Sequence, residues 1–260
     1  MTSDQPILKT VDLTKHYGGV QALNDANFEI RTGEHVAIVG DNGAGKSTFV
    51  RNITGVEVPT SGSLIFDGKV RHFKTPKQAR EVGIETVYQN LALADDLDVP
   101  SNIFLGREEV TFNLGPFSWL NKPMMRTQSE ELLKKTGIKI PNLHDKVSGM
   151  SGGQRQCIAI SRAAGWGNKL IILDEPTAAL GIQETTRVEN TIRGLKDQGI
   201  PMIIISHNLR QVFNLVDRII VFRQGRIVAD VVASEVSGND IVAHITGASD
   251  QGVHENASYI

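Results

Sequence analysis

The chain has almost no cysteine, no excess of either charge, no long hydrophobic run and no internal repeat. Its one cysteine, Cys157, has no partner for an internal disulfide or a thiolate metal cluster, which fits a reducing compartment such as the cytoplasm. With 27 Lys and Arg against 29 Asp and Glu in 260 residues, the net charge of -2 offers no overall attraction to nucleic acid or anionic lipid. No stretch approaches the roughly 20 apolar residues of a membrane span, and Met1 to Thr10 contains no signal-like apolar segment. The chain is therefore expected not to cross a bilayer unaided. The absence of a repeat means that whatever cassette is encoded is encoded once.

What is present is enough apolar material, 40% of residues, for a substantial core. Ile7 to Leu13, Ala26 to Ile30 and Ser63 to Phe66 have the pattern of a small antiparallel sheet, the last closed by Asp67-Gly68. His35 to Val39 predicts a strand that runs straight into Gly40, and Lys46 to Thr54 a helix ending near Gly55. Within about 91–164, helices are expected at Ser101 to Leu105, Met124 to Thr136 and Gly153 to Ala164, joined by Gly-, Pro- and Asn-rich stretches. Short apolar runs then alternate with helical patterns: Leu170 to Leu173, Gln183 to Leu195, Met202 to Ser206, Leu209 to Leu215, Arg218 to Phe222 and an outer strand at Arg226 to Val232. That alternation predicts an α/β fold with a parallel sheet. The expected organisation is a single domain over 1–245, with the core and an N-terminal antiparallel β subdomain in about 1–90 and 165–245. A helical subdomain is inserted at about 91–164, and 246–260 is a loosely ordered tail.

The chemistry concentrates at the ends of these elements. Gly40-Asp41-Asn42-Gly43-Ala44-Gly45-Lys46-Ser47 fits G-x-x-x-x-G-K-[ST] between a strand and a helix. Glycines there let backbone N–H groups approach phosphate, and the helix N-terminus adds positive partial charge. Lys46 is expected to bridge the β- and γ-phosphates, Ser47 to offer its hydroxyl to Mg²⁺, and Asp41, Asn42, Ala44 and Thr48 to complete the nucleotide contacts. Asp174, after Leu170-Ile171-Ile172-Leu173, stands at the carboxyl end of a buried strand, where α/β sheets place ligands, and is expected to organise the metal. Glu175 is placed to orient the attacking water. His207 follows the strand ending at Ser206 and is expected to donate to a terminal phosphate. Gln89, just after Ile84 to Tyr88, has an amide suited to the metal or the water. Tyr17 is either a packing aromatic or a ring stacked on adenine. Ser151-Gly152-Gly153-Gln154 opens a helix and makes a second anion cradle.

With those motifs in that order, the chain from Tyr17 to about Val232 resembles the ATP-binding subunits of ABC transporters, P-loop NTPases with a RecA-like parallel sheet. In that family two cassettes pair head to tail, so the resemblance implies that Ser151 and Gly153 of one copy close over ATP held by Lys46 of another. It further implies ATP and Mg²⁺ as cofactors, a homodimer or a related second ATPase subunit, a transmembrane permease moved through the Gln89 loop, and a site on the cytoplasmic face of the inner membrane. Two positions depart from the family pattern. Met150 replaces the usual Leu, and Gly181 stands where most members have an Asp that links the two sites. The segment Thr177-Ala178-Ala179-Leu180-Gly181-Ile182-Gln183-Glu184 is similar to the subgroup that imports monosaccharides of the ribose, xylose and fructose type, and the single cassette to its fructose-import form. That implies an external sugar-binding protein as an indirect partner. A soluble ABC protein of translation or DNA repair, usually with two fused cassettes or basic arms, and an exporter ATPase are the alternatives.

Overall fold

The computed structural model describes residues 5–114, 117–167 and 169–248. The chain opens with β1 (Leu8–Tyr17) and β2 (Val20–Ile30), antiparallel from Leu8 opposite Ile30 to Tyr17 opposite Val20. β3 (His35–Val39), buried at all five residues, feeds α1 (Lys46–Ile53). Next come β4 (Ser61–Phe66) and β5 (Lys69–Arg71), joined at Asp67 and Gly68, both with positive φ, as a two-residue hairpin turn requires. Strands β1, β2, β4 and β5 form the expected antiparallel sheet, in the order β2-β1-β4-β5.

After α2 (Pro76–Glu81) and β6 (Ile84–Val87) the insertion begins with α3 (Val99–Ile103), capped by Asp98, whose carboxylate accepts from the Ser101 N–H at 2.9 Å. This cap starts the helix two residues before the Ser101 predicted from sequence. The insertion is also not wholly helical: β7 (Val110–Leu114) and β8 (Phe117–Leu120) pair as a hairpin before α4 (Lys122–Lys135) and α5 (Gly152–Trp166). The remainder alternates as expected: β9 (Leu170–Asp174), α6 (Ile182–Asp197), β10 (Met202–Ile205), α7 (Leu209–Leu215), β11 (Arg218–Arg223), β12 (Arg226–Val232) and a closing α8 (Gly238–Thr246). The tail from residue 249 lies outside the described residues.

The second sheet has the order β12-β11-β3-β10-β9-β6, parallel except for β12. Its strands read as unbroken apolar runs because both faces are covered. Val36, Ile38, Ile172 and Ile203 face Phe28, Phe49 and Phe66, whereas Ala37, Val39, Leu173 and Ile204 face Ile158, Val188 and Ile192. Phe49 sits between Phe28 and Phe222, with ring centroids at 5.3 and 5.4 Å, and so locks α1 to both sheets. The second layer runs on into the insertion, where Val99, Ile103, Met125 and Leu133 belong to the same core. The helical insertion therefore shares its hydrophobic packing with the sheet through α5.

His35, fully buried at the start of β3, faces the Ile200 carbonyl with Nε2 (3.1 Å) and the Leu215 carbonyl with Nδ1 (3.3 Å). Burial, reinforced by the Lys196 ammonium, pulls its pKa down to about 4. Below about pH 6.5 the unfolded chain protonates this imidazole while the folded chain does not, so stability is full above that pH and lost as pH falls toward 4. The limiting slope for one such group is about 1.4 kcal/mol per pH unit. Chemical denaturation between pH 7 and 4 is expected to show this loss, and His35→Gln to flatten it.

Candidate nucleotide site

The phosphate loop connects β3 to α1. Gly40 has φ +145° and Gly45 φ +105°, and a Cβ on them would lie 2.2 Å from the Phe222 carbonyl oxygen and 2.8 Å from that of Ala22. Only glycine allows the loop to lie this close to β11 and β2. Because Gly45 is the N-cap and has no side chain, no side-chain cap occupies the first-turn N–H groups of α1. They remain available to an anion, with the helix dipole behind them.

The loop forms one wall of a cleft of about 390 Å³. Asn42, Gly43, Ala44, Gly45, Lys46, Ser47, Thr48, Gln89, Asp174, Glu175 and His207 all line it, together with Ala22, Ala178 and Ile205. The structure thus brings together most of the site residues predicted from sequence, from segments up to 165 positions apart. Gly40 and Asp41 stand behind this wall, where their carbonyls accept from the Lys46 ammonium at 2.6 and 2.9 Å. Burial lowers the Lys46 pKa, opposed by Glu175, Asp41 and Asp174, and burial raises that of Asp174, with Glu175 adding to the rise and Lys46 opposing it. A cation close to Asp174 would relieve that penalty.

Asp174 ends β9, and Glu175 beyond it takes φ +50°, an uncommon conformation for a non-glycine residue. Its N–H is held by the Ile205 carbonyl at 2.9 Å, and its Oε1 lies 2.7 Å from Nδ1 of His207. Sequence reasoning missed the residue that ties these two segments together. Gln211, buried on α7, accepts from the Thr177 hydroxyl at 2.7 Å and from the Ser206 hydroxyl at 3.3 Å. It stands at the third position of α7, three residues after the Asn208 cap that accepts from its N–H, and that helix-start spacing was the available signal. Arg162 was missed as well; its guanidinium donates to the carbonyls of Leu91 and Ala92 at 2.8 and 2.9 Å and so holds the chain just after Gln89 against α5.

Tyr17 is not among the residues lining the cleft. Its hydroxyl bonds Glu57, and the Lys15 ammonium lies 5.3 Å from the ring centroid. Ser151, Gly152, Gly153 and Gln154 also lie outside it, at the start of α5. There the Ser151 hydroxyl accepts from the Gln154 N–H at 3.4 Å and the Gln154 side chain accepts from the Ser151 N–H at 2.9 Å, a capping box.

The donor set in the cleft suits a hard divalent ion: the Ser47 hydroxyl, the Gln89 amide and the Asp174 carboxylate all offer oxygen. Among the described residues no group of three or more His, Cys, Asp or Glu side chains could hold a metal alone, so such an ion would draw the rest of its shell from water or ligand oxygens.

A family model described as ABC transporter matches residues 23–178. The fructose import ATP-binding protein FrcA of Rhizobium meliloti is 42% identical over 251 residues, covering 95% of this chain and 96% of that protein. The xylose/arabinose import ATP-binding protein XylG of Sulfolobus acidocaldarius is 43% identical over 240 residues, 92% of this chain and 94% of that protein. Among solved structures, the ADP conformation of MJ1267, an ATP-binding cassette of an ABC transporter, superposes with a TM-score of 0.77 at 28% identity, covering 93% of this chain and 95% of that one.

Proposed function

The chain belongs to the ABC transporter family, and from that premise we propose that it is the ATPase that powers import of a monosaccharide, with fructose the first candidate, through a separate membrane permease. The observation that carries this reading is the convergence of the phosphate loop, Gln89, Asp174, Glu175 and His207 on one cleft, while the Ser151 cradle lies outside it. One chain therefore supplies two half-sites that it cannot join by itself. A second copy, arranged head to tail, would bring its Ser151 and Gly153 onto the phosphates held by Lys46, giving two ATP molecules at one interface. Ile182, 88% exposed beside the cradle, supplies apolar surface for that contact.

Within the cleft, the first-turn N–H groups of α1 and the Lys46 ammonium bind the β- and γ-phosphates. Ser47, Gln89 and Asp174 would hold Mg²⁺, which when bound neutralises charge on the phosphate oxygens. Glu175 orients the attacking water, and His207, fixed against Glu175, donates to the γ-phosphate. Tyr17, whose hydroxyl bonds Glu57 outside the cleft lining, would stack on the adenine.

The segment around Gln89 also explains how turnover is passed on. Gln89 lines the nucleotide cleft, whereas its neighbours Tyr88, Asn90, Leu91 and Ala92 line a separate groove of about 310 Å³ between the insertion and β6. A shift of Gln89 with nucleotide state therefore moves the wall of this groove, which is the surface proposed for the permease. Among the described residues no helix is long and apolar enough to cross a membrane, so the membrane contact, at the cytoplasmic face of the inner membrane, would run through this partner. Capture of the tagged protein from detergent-solubilised membranes is expected to bring down a polytopic permease. Recovery of ribosomal or DNA-repair proteins with no membrane protein would overturn the transport reading.

A further inference from the structure

Part of the Ser151 cradle is already occupied from inside the chain. Glu184, in the first turn of α6, places Oε1 3.2 Å from the Gly153 N–H and Oε2 3.3 Å from the Gly181 N–H, and the Ser151 hydroxyl stands beside its carboxylate. The contact is close as well as polar: a Cβ on Gly153 would lie 2.8 Å from the Glu184 Cβ. These bonds hold the Glu184 carboxyl below its usual pKa range, so it is ionised at neutral pH.

We propose that Glu184 is an in-chain stand-in for phosphate, which must swing off Ser151 and Gly153 before that cradle can receive the terminal phosphate held by a second copy. The residue would thereby set the ATP concentration at which two copies close. This rests on the head-to-tail reading above and adds to it a gate within each chain. A carboxylate and a phosphate are both anions competing for the same two donors, so the arrival of one requires the departure of the other.

The geometry allows that departure without unravelling α6. Gly181 has no side chain with which to cap the helix, and Glu184 supplies the cap through the Gly181 N–H. That arm belongs to its own helix and can persist, so only the arm that crosses to α5 has to break. Arg187, exposed three residues further along α6 and with no acid at ion-pair distance among the described residues, offers the released carboxylate a partner.

The test uses the full chain carrying Glu175→Gln, in which ATP persists, with and without Glu184→Gln. Glutamine keeps the size and the capping oxygen but loses the charge. The fraction of dimer is measured against MgATP concentration by analytical ultracentrifugation, beside ATP affinity under monomeric conditions and the melting temperature. The expected result is a midpoint about three- to tenfold lower in ATP, with monomer affinity unchanged. Glu184→Ala, which also loses the cap, is expected to shift the midpoint the same way while melting earlier. A midpoint that stays or rises while the melting temperature falls would leave Glu184 as a helix cap only and overturn the gate. If Glu175→Gln alone forms no dimer at any ATP concentration, the head-to-tail reading fails and takes the gate with it.

Discussion

Replacing Lys46 with alanine is expected to weaken ATP binding by about 10- to 100-fold, the loss of one or two charge-assisted hydrogen bonds to phosphate. The ammonium is half-buried at the base of the cleft, donating to the Gly40 and Asp41 carbonyls at 2.6 and 2.9 Å, so the loop itself fixes its position. A group already held in place gives up little further entropy on meeting a ligand, and most of its attraction is therefore realised as affinity. The bond to the Asp41 carbonyl is exposed and that to Gly40 part-buried, so water replaces the lost donor, and the melting temperature without nucleotide is expected to change by no more than a few degrees. Lys46→Arg is expected not to restore binding, because a planar fork cannot occupy the position of a compact ammonium between two carbonyls. Calorimetric titration with ATP measures the effect. Wild-type affinity in the alanine variant would remove Lys46 from the phosphate site.

How much of this could be read beforehand depends on whether the information is local. The phosphate loop was legible because a strand, three glycines, Lys46 and Ser47 are contiguous and each answers a requirement of phosphate. Asp174, Glu175 and His207 were legible from their positions after buried strands, even though their meeting in one cleft depends on strand order. The hairpin Val110–Leu114 with Phe117–Leu120 was not, since Val110, Trp119 and Leu120 are exposed and leave no alternation of burial for a sequence reader to find. α8 was overlooked for a similar reason: Ile241 is its one buried residue. Gln211 and Glu184 act through contacts between elements, to Thr177 and Ser206 in one case and to Ser151 and Gly153 in the other. Neither residue belongs to a motif, and the packing of α5 against α6 that brings Glu184 to the cradle is a tertiary fact. The Asp missing at Gly181 was visible in sequence. The structure shows that the Gly181 N–H at that point is capped by Glu184.

The second large effect is expected at Glu175. Its carboxylate, with 19% of the side chain exposed, stands on a backbone held at positive φ by the bond from its N–H to the Ile205 carbonyl. It is therefore fixed at the cleft, where it can accept a hydrogen bond from water. Glu175→Gln preserves shape and can still accept from Nδ1 of His207, but it removes the negative acceptor that aligns the nucleophile. ATP turnover is expected to fall by about 10²- to 10⁴-fold with ATP affinity retained, leaving an ATP-bound dimer that accumulates. His207→Ala separates two parts of this arrangement. With the ring side chain 76% exposed, its removal should leave stability within about 0.5 kcal/mol, while turnover falls because Glu175 loses its partner and the γ-phosphate a donor. Residues that act as one unit do not multiply their losses, so the double variant is expected to be little slower than Glu175→Gln alone. Losses that multiply in the double variant would mean that the 2.7 Å contact between Glu175 and His207 is incidental to turnover and that each side chain acts on the phosphate separately.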